Sequence, residues 1–203
     1  TDEIRAVQER LLSSHLEYVA SHSPFYQTMF REHGIDVTNI TLDSLNVIPL
    51  TDKIVLGEQN DDFLAVPMAQ IVDIVLSSGT TGRSTKVMYT DNDLRRLAYN
   101  EEISFASCGL SSADVVLLTC TIDRCFIAGL AYFSGVRNLG AAAIRNGLSS
   151  VESHLEIIRR LKPTAIVGVP TFLLKLGQFL KTEGIDPALT GVKKLVCIGE
   201  PIR

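Results

Sequence analysis

From Ile71 onward, short apolar runs alternate with segments of helical periodicity, and this alternation restricts the fold more than any other feature of the chain. The apolar runs are rich in β-branched residues and short enough for buried strands. The segments between them are long enough to carry a chain from one parallel strand to the next. The sequence therefore predicts an α/β fold, a mostly parallel β-sheet flanked by helices. The predicted strands are Ile71–Leu76, Lys86–Tyr89, Asp114–Thr119, Ala141–Ile144, Thr164–Val169 and Val192–Ile198, and the predicted helices between them are Asp91–Ser107, Phe126–Arg137, Val151–Leu161 and Thr171–Thr182.

The first 70 residues have a different character. Apolar residues recur at three- and four-residue steps over Glu3–Ala20, which predicts an amphipathic helix. A second helix is predicted over Pro24–Glu32, because proline suits a first helical turn and Gly34 suits a helix end. Residues 36–70 predict short helices and loops. We therefore expect a helical N-terminal segment, residues 1–70, that packs on an α/β part, residues 71–203.

Charge and apolar patterning exclude several classes of protein. With 19 Lys and Arg against 23 Asp and Glu, the net charge of −4 argues against a broadly basic nucleic-acid-binding surface. The apolar runs are much shorter than the roughly 20 residues that cross a bilayer, and the N-terminus has no apolar signal segment. The chain does not begin with Met, so we expect an excised or processed piece of a larger protein.

Cysteine and histidine give no strong metal signal. The four cysteines lack paired C-x-x-C spacing, so no metal site is predicted and the thiols are expected to be reduced and buried, which favours a cytoplasmic location. The four histidines lie on predicted helices or at their ends and are expected at the surface. These residues are Cys108, Cys120, Cys125, Cys197, His15, His22, His33 and His154.

The most informative segment is the polar loop that directly follows the first strand. Its first six residues contain four hydroxyls and two glycines, so that many N–H and O–H donors can converge on one ligand. Such a loop suits a polyphosphate, although a plain hairpin turn is the alternative. It is not a Walker A loop, because Ser84 stands where that motif requires the glycine of its Gly-Lys pair. The six residues are Ser77, Ser78, Gly79, Thr80, Thr81 and Gly82.

The string Ser-Ser-Gly-Thr-Thr-Gly resembles the phosphate loop of the adenylate-forming superfamily. Other segments, in the same order along nearly the whole chain, resemble the N-terminal half of the phenylacetate-CoA ligase family. These segments are 23–26, 49–53, 65–67, 89–93, 126–130, 138–141, 167–171 and 198–201. The last one, Ile-Gly-Glu-Pro, is similar to the Gly-Ala-Glu-Pro segment that lines the adenine and acyl pocket in that family.

The resemblance implies an AMP-forming carboxylate-CoA ligase. Such an enzyme joins a carboxylate to ATP, with Mg²⁺, to give an acyl-adenylate and pyrophosphate, and coenzyme A then displaces AMP. It implies phosphate contacts from the loop, with adenine and acyl contacts from Gly199, Glu200 and Pro201. The matched segments place the acid near Asp123, Phe126, Gly129, Pro170 and Thr171.

The chain also departs from the family pattern. Lys86 stands one residue late, and a one-residue shift in a strand turns a side chain to the opposite face, so Arg83 is the other candidate cation beside the phosphates. The later motifs of the family, including its catalytic lysine, do not occur before Arg203. We therefore expect the first half of a ligase, with no catalytic residue of its own and no activity alone.

A charged pair interrupts an apolar stretch at Asp123 and Arg124, at the sheet edge where ligands bind in parallel α/β folds. One interpretation is an acid substrate with a second polar group. The other is that Asp123 caps the following helix while Arg124 reaches solvent or pairs with it.

The leading hypothesis is a ligase for a small aromatic acid such as phenylacetate, with no nucleic-acid or membrane partner and with a homodimer left open. Three alternatives remain: an adenylating enzyme with a non-CoA acceptor, an inactive nucleotide- or acyl-binding module, and a structural α/β dimerisation unit.

Overall fold

The computed structural model describes residues 2–77 and 84–201. The chain forms two compact units, Thr1–Thr90 and Asp91–Arg203. The first strand pair therefore belongs to the N-terminal unit. The boundary predicted after residue 70 differs from this division. It stays a prediction, which separates the helical segment from the loop that resembles a phosphate site.

The first unit is built on two helices and a hairpin. Helix α1 (Asp2–His22) buries Leu16 and Val19 against Met29 and Phe30 of helix α2 (Pro24–Glu32). The short helix α3 (Lys53–Glu58) starts at Asp52, whose carboxylate accepts the amides of residues 54 and 55. Short 3₁₀ turns connect these elements: Val37–Asn39, Leu42–Val47, Asn60–Phe63 and Met68–Gln70.

Strands β1 (Ile71–Leu76) and β2 (Lys86–Thr90) pair antiparallel as a separate two-stranded sheet. The side-chain amide of Asn60 continues this pairing on the outer side of β2. Its nitrogen donates to the Lys86 carbonyl at 3.0 Å, and its oxygen accepts the Lys86 amide at 2.8 Å. Asn60 thereby satisfies two backbone groups that a neighbouring strand would otherwise bind.

The second unit is the parallel α/β part, and its sheet has the order β4-β3-β5-β6. Every pairing in that order is parallel. The strands are β3 (Val115–Leu118), β4 (Ala142–Arg145), β5 (Ala165–Gly168) and β6 (Lys194–Cys197), and the helices are α4 (Asp91–Ser107), α5 (Ile127–Asn138), α6 (Val151–Leu161) and α7 (Pro170–Thr182), with a 3₁₀ turn at Pro187–Thr190. This confirms the predicted fold class.

Helices cover both faces of this sheet. Val116 and Leu118 of β3 face a core that includes Phe105 of α4, whereas Leu117 between them faces a core that includes Ile158 and Leu176 of α6 and α7. Successive strand residues point to opposite faces, so a run that is apolar throughout is the pattern expected of a strand buried on both sides. The central strands β3 and β5 are almost completely inaccessible.

The amino ends of three strands are joined by one carboxylate. Asp114, just before β3, accepts hydrogen bonds from Lys194 Nζ, Thr164 Oγ1 and the Ser111 amide, each at 2.8 Å. Lys194 begins β6, and Thr164 precedes β5. Because the ligand-binding edge of a parallel sheet is the opposite one, this network holds the sheet together without entering the site.

Two expectations about individual side chains are wrong. Cys108, Cys125 and Cys197 are exposed, and only Cys120 is partly buried. His154 is completely buried instead of lying at the surface. No described helix is long and apolar enough to cross a bilayer.

Candidate functional site

The carboxyl ends of the four parallel strands surround a cavity of about 750 Å³, which we call the apolar cleft. Its walls come from the segments that follow β3, β4, β5 and β6 and from helices α5 and α7. The volume lies in the range of small-molecule sites, and this edge of the sheet is where parallel α/β proteins bind ligands. Its lining residues are Thr119, Cys120, Thr121, Arg124, Phe126, Ala128, Tyr132, Gly147, Leu148, Ser149, Val169, Phe172, Lys175, Ile198 and Gly199.

The charge of the apolar cleft is positive. Arg124 and Lys175 line it, and no carboxylate is among its described lining residues. Burial raises the pKa of the Cys120 thiol, and burial, with Glu101 nearby, raises the pKa of the Tyr132 phenol. Both groups are therefore neutral near pH 7. The cleft suits a ligand with an apolar body and a negative charge.

A second cavity of about 450 Å³, the polar cleft, adjoins the apolar cleft. The two share the loop after β3 and the loop after β4, and Arg124 lines both. The polar cleft adds Asp123, Arg145 and Asn146 to the shared walls.

Asp123, which was predicted near the acid, lines the polar cleft, and its neighbour Arg124 lines both clefts. Of the alternative, one half is wrong, since Asp123 does not cap the following helix, and the other half holds, since Arg124 is exposed to solvent. Helix α5 begins after Phe126, and the Asp123 carboxylate instead accepts a hydrogen bond from the Thr121 hydroxyl. The backbone of Arg124 and Cys125 is left-handed, with φ of +62° and +55°. Neither is glycine, so the loop holds Arg124 at the cleft against its backbone preference.

The other residues predicted near the acid have different surroundings. Phe126 lines the apolar cleft and is about half exposed at 48%. Gly129 lies behind the wall: a Cβ atom built on it would stand 1.7 Å from the Thr121 carbonyl oxygen. Only glycine therefore lets α5 pack so close to that loop. Pro170 opens helix α7 and is not among the residues that line either cleft.

The segment after β6 is fixed to the start of α7 by Glu200. Its carboxylate accepts the Thr171 amide at 3.1 Å and the Thr171 hydroxyl at 2.9 Å. A carboxylate at a helix N-terminus satisfies amides without a helical partner and interacts favourably with the helix dipole. Gly199, with φ of +71°, makes the turn that brings Glu200 there. Pro201 is exposed.

Most of the predicted phosphate loop, Ser78, Gly79, Thr80, Thr81, Gly82 and Arg83, lies outside the described residues. Its first residue, Ser77, accepts the Thr85 amide on its hydroxyl at 2.9 Å, and the Ser77 amide donates to the Thr85 carbonyl at 2.9 Å. These two bonds close the base of the loop. A hydroxyl that accepts one bond still has a proton to donate.

Lys86 forms an ion pair with Asp61 at 2.5 Å. The ammonium group is thus directed to a carboxylate, and a contact between Lys86 and phosphate stays a prediction. The hydroxyl of Thr85, beside it, is buried and has no hydrogen-bond partner among the described residues.

Several cleft residues were not predicted from the sequence. Tyr132, Lys175 and Arg145 were missed, although signals for them exist. Arg145 ends β4 at the ligand-binding edge of the sheet. Lys175 follows Phe172 by three residues on α7, and this spacing places Lys175 and Phe172 on one face of the helix.

His154 supports the apolar cleft from behind. Its ring packs edge-on against Phe172, with ring centres 4.8 Å apart, and Phe172 lines the cleft. Nδ1 donates to the Ser150 carbonyl at 2.8 Å, whereas the buried Nε2 has no partner among the described residues. A proton added at Nε2 would therefore be buried without an acceptor.

This burial predicts a pH-dependent stability. Burial lowers the pKa of His154 below its usual 6.5, although the Ser150 bond opposes the shift. In the unfolded chain the ring takes up a proton as the pH falls through about 6.5, and the folded chain resists this, so acid favours unfolding. We expect chemical denaturation to show a loss of stability between about pH 7 and pH 5.5, and His154→Leu to flatten this profile.

His15 provides the control, because it is exposed on α1. His15→Leu should leave the profile unchanged. Equal slopes in the His154→Leu variant and the unmodified chain would contradict the assignment.

Known proteins resemble this chain over most of its length. The AMP-binding enzyme family matches residues 17–203. The chain is 30% identical over 191 residues to a phenylacetate-coenzyme A ligase of Pseudomonas putida, and 32% identical over 184 residues to one of Escherichia coli. The matches cover 92% and 90% of this chain but 43% and 42% of those relatives, so the chain spans less than half their length.

Solved structures of similar fold include 2-hydroxyisobutyryl-CoA ligase. One, bound to 2-HIB-AMP and CoA in the thioester-forming state, has a TM-score of 0.84 at 24% identity and covers 97% of this chain and 44% of its own. An open conformation of that ligase has a TM-score of 0.83 at 23% identity, over 94% of this chain and 46% of its own. The likeness in fold and the match over residues 17–203 agree with the resemblance found in the sequence. The chain belongs to the AMP-binding enzyme family.

Proposed function

We propose that the chain is the N-terminal part of an ATP-dependent, AMP-forming carboxylate-CoA ligase that acts on a small aromatic acid of the phenylacetate type. The observation that carries the proposal is the apolar cleft at the carboxyl ends of the four strands, with aromatic walls and two cations. The family match and the relatives named phenylacetate-coenzyme A ligase support it.

The chemistry of adenylation fits such a site. A carboxylate is already ionised near pH 7 and attacks the α-phosphate without a general base, so positioning and charge stabilisation supply the catalysis. In the apolar cleft, Phe126, Tyr132 and Phe172 would surround the ring of the acid. A carboxylate in this low-dielectric setting would be held by nearby positive charge.

The nucleotide would contact residues from two segments of the chain. Ser77, with the donors of the loop that follows it, would hold the β- and γ-phosphates until they leave as pyrophosphate. Gly199 and Pro201 would border adenine, and the two hydrogen bonds that Thr171 donates to Glu200 would keep that segment in place. Coenzyme A would then take the acyl group from AMP.

Mg²⁺ would enter with the triphosphate. The described residues contain no group of three His, Cys, Asp or Glu side chains placed to hold a metal. Mg²⁺ retains several waters and binds readily through substrate phosphates, so a dedicated protein cage is not required for this chemistry.

The test is carboxylate-dependent exchange of pyrophosphate into ATP by the protein encoded by the complete reading frame. We expect exchange with phenylacetate, and a Thr80→Ala/Thr81→Ala double variant should weaken ATP binding by about tenfold through the loss of two donors to a charged ligand. Equilibrium dialysis with labelled ATP measures the second effect.

Ser84→Ala is the matched control, because Ser84 is an exposed hydroxyl after the six-residue loop. It should leave ATP affinity unchanged. ATP binding without exchange on any aromatic acid would indicate a binding module instead of a ligase, and unchanged affinity in the double variant would indicate an ordinary turn.

A further inference from the structure

The apolar and polar clefts form one continuous site with two different halves. They share the loop after β3 and the loop after β4, and Arg124 lines both. The apolar half is closed by aromatic side chains, including Tyr132 and Phe172, whereas the polar half is closed by Arg145 and Asn146. A simple aryl acid would fill the first half and leave the second to solvent.

The polar half carries unmatched positive charge. Arg124 and Arg145 face a single carboxylate there, that of Asp123, which already accepts the Thr121 hydroxyl. Neither arginine forms an ion pair with any described carboxylate. Guanidinium groups bind carboxylates in paired geometry, so two of them beside one small cavity favour an anionic ligand group.

Both arginines are exposed, and each is constrained in one respect: Arg124 in its backbone, and Arg145 in its guanidinium. Arg124 occupies a left-handed backbone conformation followed by a second one at Cys125. Such conformations are uncommon for these residue types and concentrate at ligand sites. The guanidinium of Arg145 lies 4.8 Å from the centre of the Phe133 ring, which orients it.

We propose that the acid substrate carries a second carboxylate, and that this group binds Arg124 and Arg145 in the polar cleft while the apolar body fills the apolar cleft. The inference rests on the proposed function, since it specifies which acids that ligase accepts. Arg145 acts as a specificity-determining residue in this assignment.

The experiment is isothermal titration calorimetry of the protein encoded by the complete reading frame, with two probes of one ring, phenylacetate and 1,4-phenylenediacetate. We expect the diacid to bind about tenfold more tightly than the monoacid, as an additional charge-assisted contact would provide. Arg145→Met should remove this preference and change the affinity for phenylacetate by less than about twofold, because methionine keeps an apolar stem over Phe133.

Arg137→Met is the matched control. The Arg137 guanidinium lies over the same Phe133 ring, at 5.8 Å, but Arg137 lines neither cleft. It should leave both affinities unchanged. Arg124→Asn is a second variant that removes the other cation, and asparagine tolerates the left-handed backbone, so it should fold and also lose the diacid preference.

The outcomes separate the two proposals. Equal affinity for both acids, or equal weakening of both by Arg145→Met, would overturn the diacid assignment and leave the ligase proposal in place. No binding of either acid would overturn the diacid assignment, and the exchange reaction would then decide the ligase proposal independently. Titration with ATP and coenzyme A provides the last comparison: if Arg145→Met weakens one of these instead of the diacid, the polar cleft binds a phosphate and the assignment is wrong.

Discussion

Gly129→Ala is expected to lower the free energy of unfolding by about 3 kcal/mol, and to abolish the proposed acid binding with it. The added Cβ would stand 1.7 Å from the Thr121 carbonyl oxygen and 2.5 Å from the carbonyl carbon. Both are backbone atoms, so no side-chain rotation can relieve the overlap. Either α5 or the loop after β3 must move, and that loop walls both clefts. Urea denaturation and phenylacetate titration measure the two losses.

Gly177→Ala is the matched control within the same unit. Gly177 lies in α7, and among the described residues no atom outside the adjacent backbone of that helix is within 4 Å of the position its Cβ would take. Alanine there should raise stability by about 0.5–1 kcal/mol, since glycine in a helix interior costs backbone entropy. Equal effects of the two substitutions would contradict the packing described for α5.

Asp114→Ala should lower the free energy of unfolding by about 2–3 kcal/mol. The substitution removes the acceptor shared by Lys194, Thr164 and the Ser111 amide. The hydrogen bonds that connect the amino ends of β3, β5 and β6 through this carboxylate are then lost. The side chain of Asp114 is 7% exposed and that of Lys194 is 34% exposed, so water can solvate the orphaned ammonium in part. We therefore expect less than the loss seen for a fully buried pair.

The same network predicts an acid limit to stability. The hydrogen bond from Lys194, with those from Thr164 and Ser111, lowers the pKa of Asp114 from 3.8 to about 2. When a carboxyl group has a lower pKa in the folded chain than in the unfolded chain, it stabilises the folded state fully at pH values above the unfolded pKa. This stabilisation is lost as the pH falls through the folded pKa. The contribution of Asp114 is therefore complete above about pH 4 and lost toward pH 2.

Thermal unfolding from pH 5 to pH 2 checks this prediction. Asp43→Ala is the control, because the Arg5–Asp43 pair is solvent-exposed on both sides. The Asp114→Ala variant should show a shallower acid decline than the unmodified chain. Parallel declines in Asp114→Ala and Asp43→Ala would be inconsistent with the network.

The order of elements could be predicted from the sequence because strands buried on both faces leave a strong signal. Leu117 and Ile166 face one core while their neighbours face the other, and both strands are therefore apolar throughout. The helices between them carry amphipathic repeats that end at recognisable residues. The division after Thr90 was not predictable in this way, since a hairpin and a parallel strand have the same local pattern.

The site was only partly predictable for a related reason. Residue type alone placed His154 at the surface, but Val151, His154, Leu155 and Ile158 follow helical spacing on one buried face of α6. The helical spacing therefore indicated that His154 is buried, although histidine as a residue type favours the surface. The positions of Arg145 and Tyr132 at the clefts depend on strand order and helix packing, which are long-range properties that one sequence does not display.

Asn60 has a consequence for self-association. The open side of a hairpin strand presents unsatisfied amides and carbonyls to which another polypeptide can add, the first step toward aggregates. At Lys86 both groups are already taken by the Asn60 amide. The start of β2 is thereby closed to an incoming strand by a single side chain, which acts as a gatekeeper against intermolecular β-pairing.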